Sequence, residues 1–358
     1  MSAEGVALAS RTPSGILANQ RSRRIVRFAV GTTVGSGFAY LIGFELPFLV
    51  PILIAMLLAS PAPRPTLRSA AAFVVPVAAG AFVGVLLTRY FLQYQGIFLL
   101  LEFLVLYRIF YALAGGAKPL RMVWLLIAAL IIPLVGMASI GLAIGVAIGL
   151  VYGAVIAVGV TWFAHVLVPD LPRGADVFAG GGKAKPERPI PPPAARAAYA
   201  RRSLTVLYPM LLVFMFFSLT SDAVILVYAG LLSLLPSFAA GWKQGKDMIT
   251  ANLIGGVVAI AFYNLLIVIP SIGMFLLLTL LVGLTFGDVI FSDRPAAPVI
   301  KSAFNAVVLL VGMSISSTDA GAASKFYTRI AQILLAVVYI AAAFGFLEYL
   351  QRKRVNKA

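Results

Sequence analysis

The chain has 358 residues, 61% of them hydrophobic and only 11% charged, with a net charge of +16. A soluble globular chain is about half apolar and roughly a quarter charged, so this composition argues against one. The basic residues sit in loops and tails beside long apolar runs, the placement of membrane-orienting charge and not of a nucleic-acid footprint. Such runs fit helices in lipid, where each segment satisfies its own backbone polar groups. The alternating strands of about ten residues that build an outer-membrane barrel are not visible. No cysteine is present, which removes disulfides, thiolate metal sites and redox pairs.

In chain order, residues 1–24 form a basic tail with Arg11, Arg21, Arg23 and Arg24. It has no apolar core long enough for a cleaved signal peptide, so the first span is expected to serve as its own insertion signal. Spans are predicted over 25–43, 46–60, 69–88, 97–113, 122–138 and 140–166, making a six-helix repeat at 25–169. Residues 170–202, with Gly180-Gly181-Gly182 and Pro191-Pro192-Pro193, read as a disordered cytoplasmic linker. Six further spans are predicted over 203–220, 223–240, 248–269, 271–290, 302–316 and 326–348, a second repeat at 203–350, with a basic tail at 351–358. The expected fold is an all-α integral membrane protein of about twelve transmembrane helices in two parallel six-helix repeats. Several spans fall short of the ~20 residues a full crossing needs, so broken or re-entrant helices are expected among them.

Charge placement tests the span count. With the N-terminus inside and one crossing per span, all of the 28 basic residues except Arg89, Lys325 and Arg329 fall on the inner side, counting Arg108 with that group. Adding or dropping one span in the first half scrambles this bias. Both termini are therefore expected to be cytoplasmic, in a bacterial inner membrane.

The two halves echo each other at an offset near 177. Arg23-Arg24 recurs as Arg201-Arg202, Glu45 as Asp222, Val135-Gly136-Met137 as Val311-Gly312-Met313, and Pro61 as Pro236. Six spans per copy make both copies enter the membrane in the same direction, as in parallel-repeat transporters whose pathway runs at the repeat interface.

The segment Leu46-Pro-Phe-Leu-Val-Pro-Ile-Leu-Ile-Ala-Met-Leu-Leu-Ala-Ser-Pro61 resembles the second span of the fusaric-acid-resistance and aromatic-acid exporter superfamily. Arg64 and Arg68 after that span, and Gly80 and Gly84 in the next, continue the resemblance to a short branch of it. It implies an inner-membrane efflux protein for small compounds, aromatic or anionic ones among them, working with a periplasmic adaptor. The large cytoplasmic domain of many such proteins is replaced here by the linker.

Candidate residues follow from position. Glu102 lies about five residues, or ~7.5 Å, into span four. A carboxylate there is costly, faces protein or water, and suits reversible protonation; the alternative is a structural ion pair or an interface residue. Arg108 lies six residues on, ~600° around the helix, so it points elsewhere, either attracting an anionic substrate or snorkelling to the inner surface. Asp288 ends span ten beside Asp293 and Arg294, either at an inner gate or in a solvated ion pair. Glu45 and Asp222, with Pro47 and Pro51, frame the outer entry to spans two and eight, matching proline-interrupted segments that suggest a binding region. Gly141, Gly145, Gly149 and Gly153 make a ridge on span six that lets another helix approach closely, from the other half or from a second protomer of a homo-oligomer. Asn252, Asn264 and Asn305 are candidates for hydrogen bonds across helices. His165, alone, makes no metal site, and no cofactor is implied.

A secondary transporter, proton-driven and outward-directed, is the leading reading. A phosphate-binding loop is absent, since Gly182-Lys183 runs into Ala184, which leaves a permease energised by a separate ATPase as an alternative. A non-transporting membrane scaffold is another. Intramembrane proteolysis is disfavoured: Gly287-Asp288 lacks the extra glycine at Thr285, and no nucleophile-elbow or zinc-protease motif occurs.

Overall fold

The computed structural model describes residues 20–44, 46–60, 64–170, 191–220, 223–234 and 238–315, and single positions between 328 and 346. Eleven helices are formed among them: α1 (Gln20–Leu41), α2 (Leu49–Leu58), α3 (Leu67–Phe91), α4 (Gln95–Ala114), α5 (Pro119–Ala138), α6 (Ile140–Leu167), α7 (Pro193–Phe216), α8 (Ala223–Ser233), α9 (Phe238–Val268), α10 (Ile272–Ile290) and α11 (Ala297–Ile315). Seven of these, α3 to α6 and α9 to α11, are long and apolar enough to cross a membrane. The span expected over 326–348 lies largely outside the described residues, as do Glu45, Asp222, Pro61 and Pro236.

Serine and threonine start several helices by accepting from orphan backbone donors. Thr66 and Ser69 cap α3 reciprocally, Ser139 accepts from the Gly141 amide at 3.2 Å, and Ser271 from the Met274 amide at 3.1 Å. Pro76, Pro133 and Pro209 lie inside α3, α5 and α7.

The helix α8 ends at Ser233, short of the expected 240, and α9 begins at Phe238, ten residues before the expected 248. Two further elements depart from the sequence expectation. The first is α2, which with 10 residues rises only ~15 Å, half of the ~30 Å hydrocarbon core. Pro47 and Pro51 crowd its start, and none of its residues is exposed, because α1, α6 and α11 surround it. A half-length helix is tolerable in a bilayer when protein covers its ends. The second is α7, which begins at Pro193, so the last ten residues of the expected linker are helical. Pro193 suits the first helical turn, and Ala194, Ala195, Ala197, Ala198 and Ala200 are the strongest helix formers.

Packing joins α3 to α5 and α6, α9 to α11, α1 to α2, α6 and α10, and α4 to α5 and α7; α5 also meets α8, and α2 meets α11. Association in lipid rests on close van der Waals fit, and glycines supply it. A Cβ at Gly84 would lie 3.0 Å from Ile132, and one at Gly255 only 2.6 Å from the Ala303 carbonyl oxygen. One buried cluster centres on Phe28, Leu53, Ile54 and Phe304; the other, joining α4, α5, α7 and α8, centres on Phe98, Leu106, Leu126 and Leu207.

Candidate functional site

The buried stripe of α4 is Phe98, Glu102, Leu106, Ile109 and Phe110. Steps of three and four residues keep them on one helix face, turned toward α5 and α7. Glu102 therefore occupies a core position: its relative exposure is 0%, and neither carboxylate oxygen has a hydrogen-bond partner among the described residues. Tyr208 of α7 is close enough to interact electrostatically with it. Its hydroxyl, however, donates to the Leu99 carbonyl at 2.9 Å, and its ring stands edge-on to Phe103. Arg108 is exposed on another face of α4, as the helical angle predicts, and is not gathered with Glu102.

Asp288 is half-exposed and paired, but not within its own loop. Arg21 of α1 reaches it at 2.6 Å and also donates to the backbone carbonyls of Asp288 and Phe291. Beside this contact α1 holds the end of α6. The buried Arg27 donates to Asp170 at 2.9 Å and to the Val168 carbonyl at 3.3 Å, Gln20 donates to Asp170 at 2.7 Å, and Arg23 donates to the Pro169 carbonyl. Partial burial works to raise the Asp170 pKa, but the Arg27 hydrogen bond and charge, with Gln20, outweigh it and hold the carboxyl below its ordinary value. Nothing in local sequence announced this cluster, because Asp170 opens the expected linker and Arg27 lies inside the first expected span.

Two glycines of the α6 ridge meet α2 and the segment before it: Gly149 faces Leu46, and Gly153 faces Leu49 and Leu53, while Gly141 is exposed. Asn252 donates to Met248 of its own helix at 2.8 Å instead of across helices, and Asn264 is exposed. His165 is buried, with Nδ1 2.9 Å from the Thr161 carbonyl oxygen.

A second feature appears where α1, α2, α10 and α11 converge. A cavity of about 20 Å³ is lined by Ser36, Tyr40, Phe275, Thr279, Phe304 and other apolar residues, with no charged group. Thr279 had a sequence signal. Residues 96–105, Gly-Ile-Phe-Leu-Leu-Leu-Glu-Phe-Leu-Val, align at an offset of 177 with 273–282, Gly-Met-Phe-Leu-Leu-Leu-Thr-Leu-Leu-Val. Phe98 matches Phe275, and Glu102 matches Thr279; all four are buried.

Residues 24–164 match the model of a family described as a protein of unknown function (DUF2955). That stretch runs through α1 to α6 and carries no assigned activity. The match gives no link to the fusaric-acid-resistance superfamily that the second span resembles. No curated protein and no solved structure matches the chain.

Proposed function

We propose that the protein is a proton-driven secondary transporter of the bacterial inner membrane that exports small compounds, with Glu102 as the group that takes up and releases the proton. The observation that carries this reading is a carboxylate wholly buried in a helix long enough to cross the membrane, with no cation and no hydrogen-bond donor on either oxygen among the described residues. Such a group is costly and serves function by default. It lies where α4 and α5 meet α7 and α8, the seam between halves at which parallel-repeat transporters place their pathways.

The same proposal includes twelve helices in two six-helix copies. Shifting helix numbers by six turns α3–α5 into α9–α11 and α1–α2 into α7–α8, and it exchanges α1–α10 with α7–α4 and α2–α11 with α8–α5; each of these pairs is in contact. The likeness of 96–105 to 273–282 supports it independently. The end of the bundle where Arg21, Arg23 and Arg27 meet Asp170 and Asp288 is taken as cytoplasmic, from the basic-residue bias. Since the expected outer loops are short, export beyond the inner membrane would use a periplasmic adaptor.

Inverted proteoliposomes with an acidic lumen test the reading. Compounds from a panel of small aromatic and apolar molecules, added outside, should alkalinise the lumen in a protein-dependent manner, and Glu102→Gln should abolish this. If no compound does so with folded wild-type protein, the reading fails.

A further inference from the structure

We infer that the cavity at Thr279 is the binding site for the transported compound, and that it takes an uncharged, largely apolar molecule carrying a hydroxyl or N–H donor. This rests on the transporter reading and divides the labour of its two seams. At the α4–α7 seam the Phe-Leu-Leu-Leu motif is followed by Glu102 in a buried cluster. At the α1–α10 seam the same motif is followed by Thr279 beside a cavity. Phe98 and Leu99 beside Glu102 also line a space, of about 200 Å³, so the two seams differ in the residue at this position, Glu102 against Thr279, and not in having a cavity.

The lining defines the ligand. Phe275, Phe304 and their apolar neighbours offer dispersion contacts, and an anion or cation entering here would lose its hydration without a counter-charge. The Thr279 hydroxyl donates to the Phe275 carbonyl at 2.8 Å and the Ser36 hydroxyl to the Thr32 carbonyl at 2.9 Å. Their protons are committed to their own helices, so each presents an acceptor lone pair to the cavity. A donor on the ligand satisfies these two acceptors, which a molecule without one leaves unmet, while the Tyr40 hydroxyl in the same lining can also donate. At about 20 Å³ the cavity as it stands holds only a water-sized occupant, so binding a larger molecule requires α10 and α11 to part from α1 and α2.

The full chain in nanodiscs, with no gradient, tests this by ¹⁹F NMR titration against protein-free nanodiscs. The probes are 4-fluorobenzyl alcohol, its methyl ether and 4-fluorobenzoate. Saturable binding should favour the alcohol over the ether by about fivefold, the worth of one net hydrogen bond, and the benzoate should bind weakest. Thr279→Val should bring the alcohol down to the ether's affinity, and Val308→Phe should weaken both by filling the space. The inference is overturned if the wild type shows no saturable alcohol binding, if the benzoate binds as tightly as the alcohol, or if Thr279→Val keeps the alcohol's preference. Because no proton flux is measured, an active site without coupling and coupling without this site give different results.

Discussion

Arg21 of α1 and Asp288 near the end of α10 form an ion pair, with Nη2 and Oδ1 2.6 Å apart. A contact between α7 and α4 is also made by an arginine. The Arg196 guanidinium of α7 lies 5.8 Å from the centre of the Tyr111 ring near the end of α4. Under the proposed two-copy transporter, each is a tie between copies at the end taken as cytoplasmic, where opening toward the cytoplasm would break it.

Breaking the first tie should open that side without unfolding the protein. An exposed ion pair is worth at most about 1 kcal/mol, which shifts a closed-to-open ratio roughly fivefold. Arg21→Asp should therefore speed maleimide labelling of a cysteine placed at Ile25, which packs against Gly287. Adding Asp288→Arg should restore the wild-type rate. A double variant that labels as fast as the single one would show that the pair is not a tie.

Glu102→Gln keeps the shape of the side chain and gives the buried site a group that never ionises. Folding should survive, while net proton-driven transport collapses and substrate exchange between equal pH compartments persists. Wild-type net transport by the folded variant, over a pH series spanning neutrality, would make Glu102 structural.

Tyr208→Phe preserves the ring packing on Phe103 but removes a hydroxyl that interacts electrostatically with Glu102. A donor role for it would require the hydroxyl to leave the Leu99 carbonyl and turn to the carboxylate. Loss of one such bond, about 1 kcal/mol, should slow proton-coupled flux roughly fivefold with ligand affinity unchanged. An unaltered flux would remove Tyr208 from the proton's path.

Asp170→Asn leaves Arg27 buried with a weaker partner. Hydrogen bonds to charged groups contribute about 1.5–3 kcal/mol, and Asp170 is one-third exposed, so a loss near the lower end is expected in thermal or denaturant unfolding. The pH dependence has a fixed sign. A carboxyl held below its ordinary value of 3.8 contributes in full above that value and loses its contribution as pH falls through the folded-state pKa. Wild type and variant should thus converge in acid; a gap that persists there would assign the effect to packing.

The long helices were legible because uninterrupted apolar runs have few alternatives in lipid. Glu102 was legible for the same reason, as a charge without company in such a run. The early start of α7 was not, since alanines among arginines and prolines read equally as a tether. The Arg27–Asp170 pair was out of reach because its members lie 143 residues apart and the second sits at the edge of a low-complexity segment. Asp288 was placed correctly at a helix end, but its partner came from α1 and not from neighbouring Arg294. The 96–105 and 273–282 likeness was readable throughout, and it locates Thr279 only once Glu102 is treated as one of a pair.

The shortness of α2 has a consequence for the surrounding lipid. At 25 and 28 residues, α3 and α6 exceed the ~20 needed for a bilayer core, so they must lean or protrude. Ten-residue α2 would by itself pinch the membrane, but none of its residues is exposed and α1, α6 and α11 pack around it. The annulus of lipid therefore meets mainly the longer helices. A thicker bilayer would be met by α3 and α6 standing more upright, and sorting by membrane thickness would act on them while the half-length helix inside stays unchanged.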